Sequence, residues 1–206
     1  MTTSDDTVSR LHDLAAADSE SLSALHGRLE AAAQGEDLLD VAYRTLDTAV
    51  GSLLLAATPR GLVRVAFAVQ GHDAALEALA DRVSPRILQA PRRLDTAARE
   101  IEEYLSGIRR SFDLPLDFAL SQGFRRTVQQ HLPTIGYGRT HSYTEVAQEV
   151  GNPKAVRAVG SACATNPLPL VVPCHRVLPA SGAVGRYAGG PEAKATLLAL
   201  ERAHAA

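Results

Sequence analysis

Residues 166–177 read Asn-Pro-Leu-Pro-Leu-Val-Val-Pro-Cys-His-Arg-Val, and this stretch decides how the fold and the chemistry are interpreted. An apolar run broken by prolines ends at Cys174, and His175 and Arg176 follow directly. A thiol is a good nucleophile only as the thiolate, so a nearby histidine that takes its proton would activate it. Adjacent side chains of an extended segment point apart, so this pair needs a turn or a bridging water to interact. A buried, inert cysteine is the ordinary alternative.

Upstream of this stretch the sequence predicts two short helices. Ser142 and Glu145 fit a capping box for a first helix that runs to Val150. Gly151 ends that helix, and Asn152 as N-cap before Pro153 starts a second one. Helix, glycine turn, helix is typical of a helix-turn-helix unit.

The second helix, predicted from Lys154 to about Ala164, has an unusually small surface. Its small residues include Ala155, Ala158 and Gly160. Small side chains let the backbone of a partner come close, and tight packing within the domain explains them equally well.

The first half of the chain predicts a scaffold of strands and helices. Alternating or apolar runs at 41–45, 53–57 and 63–67 predict a small antiparallel meander, while 73–83 and 95–106 have helical patterns. Residues 111–116 are left as a possible further strand. We therefore expect an α+β protein, with a small N-terminal antiparallel-sheet domain and a mostly helical C-terminal domain.

Three segments are expected along the chain. Residues 1–37 form an N-terminal extension, in which Leu11, Leu14, Leu22, Leu25 and Leu29 recur at helical spacing. Residues 38–120 form the α+β scaffold, and 121–206 form the helical domain with the helix-turn-helix.

The net charge of −2 hides a division between these halves. Residues 1–120 carry a net charge of −7 and residues 121–206 a net charge of +5. A basic C-terminal portion favours contact with a polyanion such as nucleic acid, although chance can also produce such an asymmetry.

Composition excludes several classes of protein. The two cysteines, Cys163 and Cys174, rule out a disulfide scaffold and argue against a structural zinc site. Without an apolar run of about 18 residues or a signal segment, we expect a cytoplasmic protein with no membrane contact and no bound metal.

Several spaced motifs together resemble the O6-alkylguanine-DNA alkyltransferase family, the methylated-DNA–protein-cysteine methyltransferases. They are the Asn-Pro … Pro-Cys-His-Arg-Val segment, the Ser181–Gly190 loop after it, the Gly151–Gly160 helix-turn-helix segment and the closing Lys194 … Glu201 helix. The detailed match covers about residues 135–201, and the scaffold fits the less distinctive N-terminal domain of the family.

The resemblance implies a reaction and its residues. Cys174 would accept an alkyl group from O6-alkylguanine once and irreversibly, without a cofactor. His175 would be its base through a water, oriented by Glu201. Asn166 would brace the turn that holds the segment, and Arg176 would be a buried arginine paired to backbone or carboxylate. Activity on O4-alkylthymine is left open.

The resemblance also implies double-stranded DNA as the partner, met through the minor groove by a monomer. Arg157 would fill the gap left by a flipped-out nucleotide, and Tyr143 would press on the flanking phosphate. The small residues Ala155, Ala158 and Gly160 would suit the narrow minor groove.

The base pocket would combine Pro169, Tyr187, the backbone of Cys174 and Val177, and the 181–190 loop. Backbone carbonyls of Cys174 and Val177 would accept from the guanine amino group, and the Ala188 amide would donate to O6.

Some residues depart from the family pattern. Ala164-Thr165 stands where Arg-Gly often precedes Asn-Pro, and Ala188 replaces a common serine. The alternative function is a non-enzymatic module that recognises alkylated bases, although such relatives lack the acceptor cysteine. A transcription factor that reads sequence through the helix-turn-helix is a third hypothesis.

Overall fold

The computed structural model describes residues 21–22, 24–33, 35–36 and 38–205, and the chain divides into two compact units, Met1–Leu39 and Asp40–Ala206. In the first unit, residues 21–22 and 24–33 are helical. Leu22, Leu25 and Leu29 on this helix are 66%, 57% and 54% exposed. The rest of the predicted leucine pattern, Leu11 and Leu14, lies outside the described residues.

The second unit begins with a mixed four-stranded sheet. Its strands are β1 (Val41–Thr48), β2 (Gly51–Thr58), β3 (Gly61–Phe67) and β4 (Ile87–Gln89), in the order β3-β2-β1-β4. The predicted antiparallel meander β1–β3 is confirmed. Strand β4 pairs parallel to β1 and was not predicted. It is only three residues long, and so short a segment carries too little periodicity to be recognised as a strand.

Helices α1 (His72–Arg82) and α2 (Asp95–Leu105) lie close to their predicted bounds. Helix α1 covers one face of the sheet through a cluster of buried apolar residues. The cluster contains Val41, Leu54, Ala56, Val63, Ala66, Ala75 and Leu79. This seam is the core that holds the scaffold together.

The possible strand at 111–116 does not form. Within the described residues this segment makes one parallel bridge, between Leu62 and Leu116. Pro115 has no amide hydrogen, so the segment cannot continue a ladder. The segment around Pro115 packs closely against Gly61, which has φ +136°. Only glycine fits at position 61, since a Cβ there would lie 2.2 Å from the Pro115 carbonyl oxygen.

The remaining part of this unit is mostly helical. Its helices are α3 (Gly123–His131), α4 (Tyr143–Glu149), α5 (Val156–Ala164) and α6 (Gly190–Ala203). A short parallel pair, β5 (His141–Ser142) with β6 (Val177–Leu178), ties the start of α4 to the segment after Cys174. Together with the sheet, these helices confirm the α+β class.

The helix-turn-helix is present, but its second helix starts later than predicted. Asn152 is not the N-cap of α5. Its amide donates to the Ala147 carbonyl (2.9 Å), and Gly151 before it has φ +77°, as in a Schellman motif that ends α4. Its own carbonyl accepts from Ala155 (2.9 Å), which makes a turn around Pro153. Asn152 therefore closes α4, and α5 begins at Val156.

Candidate active site

Cys174 lies on a single 3-10 turn, Cys174–Arg176, and is 4% exposed. Its amide donates to the Val172 carbonyl (2.8 Å), and the Arg176 amide donates to the Pro173 carbonyl (3.0 Å). Just before this turn Leu170 has φ +76°, a conformation that costs a residue with a side chain about 1–3 kcal/mol. The segment is thus held in a strained shape that the surrounding contacts must maintain.

Asn166 supplies two of these contacts. Its side-chain amide donates to the Val172 carbonyl (2.8 Å), and its side-chain oxygen accepts from the Leu168 amide (3.0 Å). All three residues are buried, so both hydrogen bonds are shielded from water. Asn166 therefore spans the loop whose far end carries Cys174.

His175 and Glu201 form a buried pair. His175 Nε2 lies 2.7 Å from Glu201 Oε1, and the residues are 0% and 1% exposed. Burial alone would raise the pKa of Glu201. Hydrogen bonds from His175 and Tyr104 and the charge of Arg176 outweigh burial and lower that pKa to about 2. Because the carboxylate is ionised, Nε2 must carry the proton that it donates.

The other ring nitrogen of His175 faces no protein partner. Nδ1 is buried and makes no hydrogen bond with any described residue. Burial lowers the pKa of His175, which keeps the ring neutral near pH 7. With its proton on Nε2, the ring presents an unprotonated Nδ1, as a general base requires.

Tyr104 and Arg176 complete the surroundings of Glu201. The Tyr104 hydroxyl donates to Glu201 Oε1 and lies 3.3 Å from His175 Nε2. Arg176 Nε donates to both carboxylate oxygens (3.0 Å each), and Nη1 donates to the Ile135 carbonyl (2.6 Å). The Gly138 amide also donates to Oε2 (2.9 Å). A carboxylate with this many donors is fixed in place, and it fixes the histidine in turn.

Lys194 is a buried cation whose charge acts on the Cys174 thiol. It is 1% exposed, and its ammonium donates to the Val177 carbonyl (2.9 Å). Burial raises the pKa of the Cys174 thiol to about 11, and the Asn166 side chain and the Lys194 charge act against that rise. At this pKa almost all of the thiol is protonated at pH 7, so the nucleophile needs a base.

A cavity of about 230 Å³ opens onto Cys174. Its lining contains four residues that the sequence singled out, Tyr143, Gly160, Cys174 and Tyr187, and Arg186 from the predicted 181–190 loop. Cys163 and Ala164 also line it and were not expected there. The predicted pocket residues Pro169, Val177 and Ala188 are not part of this lining. The cavity lies between the two helices of the helix-turn-helix and the 181–190 loop.

Tyr187 contacts both the sheet and the helical part of this unit. Its ring packs edge-on against Phe67 of β3 (5.5 Å between centroids) and against His175 (6.0 Å). Its buried hydroxyl makes no hydrogen bond with the described residues, so a donor and acceptor is available at the cavity wall.

The outer face of α5 carries two of the predicted DNA-facing residues, whereas Gly160 of the same helix lines the cavity. Arg157 and Ala158 are exposed, whereas Val159 and Ala162 on the inner face are buried. Gln129 of α3 anchors that inner face through a buried hydrogen bond to the Ala162 carbonyl (2.9 Å). The helix thus presents one cation among small side chains on a firmly held support.

Tyr104 and Lys194 were not singled out from the sequence. Tyr104 belongs to α2 and meets Glu201 across 97 positions, a separation that no local pattern reports. Lys194 stood in the closing-helix motif and is one of only two lysines in the chain. Its rarity among the basic residues is the one signal that could have marked it.

The described residues contain no cluster of three or more histidine, cysteine or acidic side chains placed to hold a metal ion. None of their helices is both long and apolar enough to cross a membrane.

Comparison with protein families gives two matches. The DNA binding domain of 6-O-methylguanine DNA methyltransferase matches residues 123–203, and the ribonuclease-like domain of the same protein matches residues 41–118. Together they cover most of the chain.

Individual proteins agree with the family models. The chain is 40% identical over 164 residues to a methylated-DNA–protein-cysteine methyltransferase of Mycolicibacterium paratuberculosis, covering 80% of this chain and 94% of that one. It is 37% identical to a constitutive enzyme of the same name from Bacillus subtilis, covering 78% and 94%.

Solved structures show the same likeness. A Mycobacterium tuberculosis O6-methylguanine methyltransferase superposes with a TM-score of 0.71 at 36% identity, covering 81% of this chain and 95% of that chain. The M. tuberculosis protein in complex with DNA gives 0.70 at the same identity, covering 79% and 94%. The chain belongs to the family of methylated-DNA–protein-cysteine methyltransferases.

Proposed function

We propose that this protein repairs DNA by moving the alkyl group of O6-alkylguanine onto Cys174, directly and irreversibly. The observation that carries the proposal is the placement of Cys174 at a cavity, beside a buried His175–Glu201 pair whose Nδ1 has no protein partner. Relatives named for alkyl transfer to a protein cysteine, and a structural neighbour in complex with DNA, support it.

The chemistry is a single displacement. His175 Nδ1 takes the thiol proton through a water, and the thiolate attacks the alkyl carbon. The carbon–O6 bond breaks, and its electron pair stays on the guanine as the new carbon–sulfur bond forms. The proton returns to the guanine through the same water and histidine. The thioether product has no free thiol to accept a second alkyl group, so each molecule acts once. The displacement needs no cofactor.

Glu201 contributes by stabilising the transient imidazolium. The ionised carboxylate lies 2.7 Å from Nε2, in a site where water cannot screen the charge. Its role resembles that of the acid in a nucleophile–base–acid triad, which orients and stabilises the base. Asn166 and Arg176 act through position, by holding the turn and the carboxylate.

Access to the target base requires the nucleotide to leave the duplex. Flipping costs a few kcal/mol in stacking and pairing, and a side chain that fills the gap offsets part of it. Exposed Arg157 on α5 would fill the gap, and Tyr143, which lines the cavity, would contact the flanking phosphate. The small residues Ala155, Ala158 and Gly160 would let this helix-turn-helix segment come close to the narrow minor groove.

In the flipped state the base would enter the cavity beside Tyr187. Pro169, Val177 and Ala188 lie outside the present lining, and their backbone would complete the contacts once the base is bound. The Val177 carbonyl already accepts from Lys194 and has a second lone pair for the guanine amino group. The proposal also includes that the protein acts as a monomer in the cytoplasm. Residues 121–206 would form the domain that binds DNA and accepts the alkyl group.

Transfer from a duplex that carries a labelled O6-methylguanine tests this function. The wild type should retain label in proportion to the protein added, and Cys174→Ala should retain none while still binding the duplex. Cys163→Ala is the matched control, since Cys163 lines the same cavity without the histidine. Label on Cys174→Ala, or its loss in Cys163→Ala alone, would contradict the assignment. Duplex binding without transfer by the wild type would instead favour a recognition module.

A further inference from the structure

A second cavity lies in the scaffold, on the side of the sheet that α1 covers. Its volume is about 290 Å³, and it is bounded by β3, α1 and the chain at Leu120. Two arginines line it, Arg64 from β3 and Arg82 from the last turn of α1. This is not the alkyl-acceptor cavity, since Cys174 is not among the residues that line it.

Arg64 occupies a position where an apolar side chain is expected. It pairs with Ala56 across the β2–β3 ladder, and Ala56 belongs to the apolar cluster beneath α1. Residues opposite each other on neighbouring strands share a face of the sheet, so the Arg64 side chain is on the face that carries this apolar cluster. Its neighbours Val63 and Val65 are fully buried.

The charge of Arg64 has no counter-charge. The side chain makes no hydrogen bond or ion pair with any described residue, and no acidic residue lines the cavity. Burial lowers the pKa of Arg64 and the nearby charge of Arg82 lowers it further, yet an arginine stays protonated. Two guanidinium groups thus share a small space in a half of the chain whose net charge is −7.

The other polar groups of the cavity also leave donors available. Gln70 uses its side-chain oxygen to accept from the Phe67 amide (3.1 Å), so its amide hydrogens remain. The Leu120 carbonyl is engaged by Arg82 (2.8 Å). A ligand entering here therefore meets N–H groups and positive charge.

We propose that this cavity binds a phosphate group, as inorganic phosphate or a small phosphate monoester. A phosphate near pH 7 carries a charge of about −1.5 to −2, which balances the two arginines. The guanidinium fork matches a pair of phosphate oxygens, and Gln70 can donate to another. The size of the cavity, at the lower end of ligand pockets, suits a small ligand.

The phosphate site is separate from the alkyl-acceptor cavity. Arg64 and Phe67 are three positions apart on β3, so their side chains leave opposite faces of the sheet. Phe67 packs against Tyr187 at the acceptor cavity, whereas Arg64 faces α1. Phosphate binding here does not require the alkyl-transfer reaction, so either activity can be absent without the other.

Isothermal titration of the full chain with inorganic phosphate tests the site, at an ionic strength held constant with sodium chloride. We expect saturable binding at one site per chain. Arg64→Gln and Arg82→Gln should each weaken it by about 10-fold or more, the usual effect of losing a hydrogen bond to a charged group. Arg92→Gln, at an exposed arginine of the same scaffold, is the matched control and should bind like the wild type.

Two further arms identify the source of the phosphate. A nucleoside 5′-monophosphate that competes with inorganic phosphate supports a small-molecule site. An undamaged duplex that displaces phosphate from the wild type would show that phosphodiesters also enter, and would overturn the small-ligand assignment. Thermal unfolding of each variant, measured in the sodium chloride buffer without phosphate, checks that it is folded. Arg82 is an exposed side chain, so Arg82→Gln keeps the test valid if Arg64→Gln does not fold. Heats that never saturate, or an equal loss in Arg92→Gln, would overturn the proposal.

Discussion

Replacing Tyr104 by phenylalanine removes one hydroxyl and keeps the ring that packs in the core. That hydroxyl donates to the ionised Glu201, and the two residues are 0% and 1% exposed. A hydrogen bond to a charged group contributes about 1.5–3 kcal/mol. Each kcal/mol shifts the Tm of a domain this size by about 2–4 °C, so Tyr104→Phe should melt roughly 3–12 °C lower. Differential scanning calorimetry near pH 7 measures the shift.

The pH dependence of this loss separates the hydrogen bond from packing. The folded-state pKa of Glu201 is held at about 2, below its ordinary 4.5, partly by Tyr104. A depressed carboxyl pKa adds stability above pH 4.5, and this stability disappears as the pH falls through 2. The difference between wild type and Tyr104→Phe should therefore be largest above pH 4.5 and shrink at lower pH. A difference that stays constant with pH would indicate altered packing instead.

Tyr137→Phe is the matched control. The Tyr137 ring packs edge-on against Tyr104 (5.8 Å between centroids), but its buried hydroxyl makes no hydrogen bond with the described residues. Removing an unpaired buried hydroxyl should leave stability unchanged or slightly raise it. If Tyr137→Phe lowers the Tm as much as Tyr104→Phe, the reasoning about Glu201 is refuted.

Three further predictions concern the acceptor turn, the base and DNA. Asn166→Ala loses two buried hydrogen bonds and should lower the free energy of unfolding by about 2–4 kcal/mol in urea titrations, with slower transfer; a loss below about 0.5 kcal/mol would contradict its bracing role. Because burial lowers the folded-state pKa of His175, unfolding free energy should fall as pH drops below 6.5, and His175→Gln should flatten this dependence; an unchanged slope would count against a neutral buried ring. Arg157→Ala should slow transfer from a duplex at least about 10-fold more than transfer from a free base analogue, measured by single-turnover kinetics; equal slowing would exclude its gap-filling role.

Local signals predicted the parts of the structure that local interactions determine. The Ser142–Glu145 capping box forms as predicted, because both of its hydrogen bonds lie within one helical turn. The start of α5 was wrong, because the Asn152 amide bonds backwards to Ala147 rather than capping forwards. A cap residue next to a helix end can serve either neighbour, and the sequence does not distinguish them.

The site shows the same division. Cys174 and His175 stood out in the sequence as a thiol next to a histidine, whereas Glu201 was expected only from the resemblance to the family. Tyr104 was missed, because its contact with Glu201 exists only once the scaffold packs against the helical part. The overall charge is uninformative by itself, since a sum near zero conceals a basic portion that contains α5.

The most direct test of the account is the mass of the peptides after incubation with a duplex that contains O6-methylguanine. The account predicts that the peptide with Cys174 gains one methylene mass, in a proportion that rises to one per protein molecule, and that the peptide with Cys163 gains none. No gain on the Cys174 peptide while the duplex loses its methyl group would contradict the central claim.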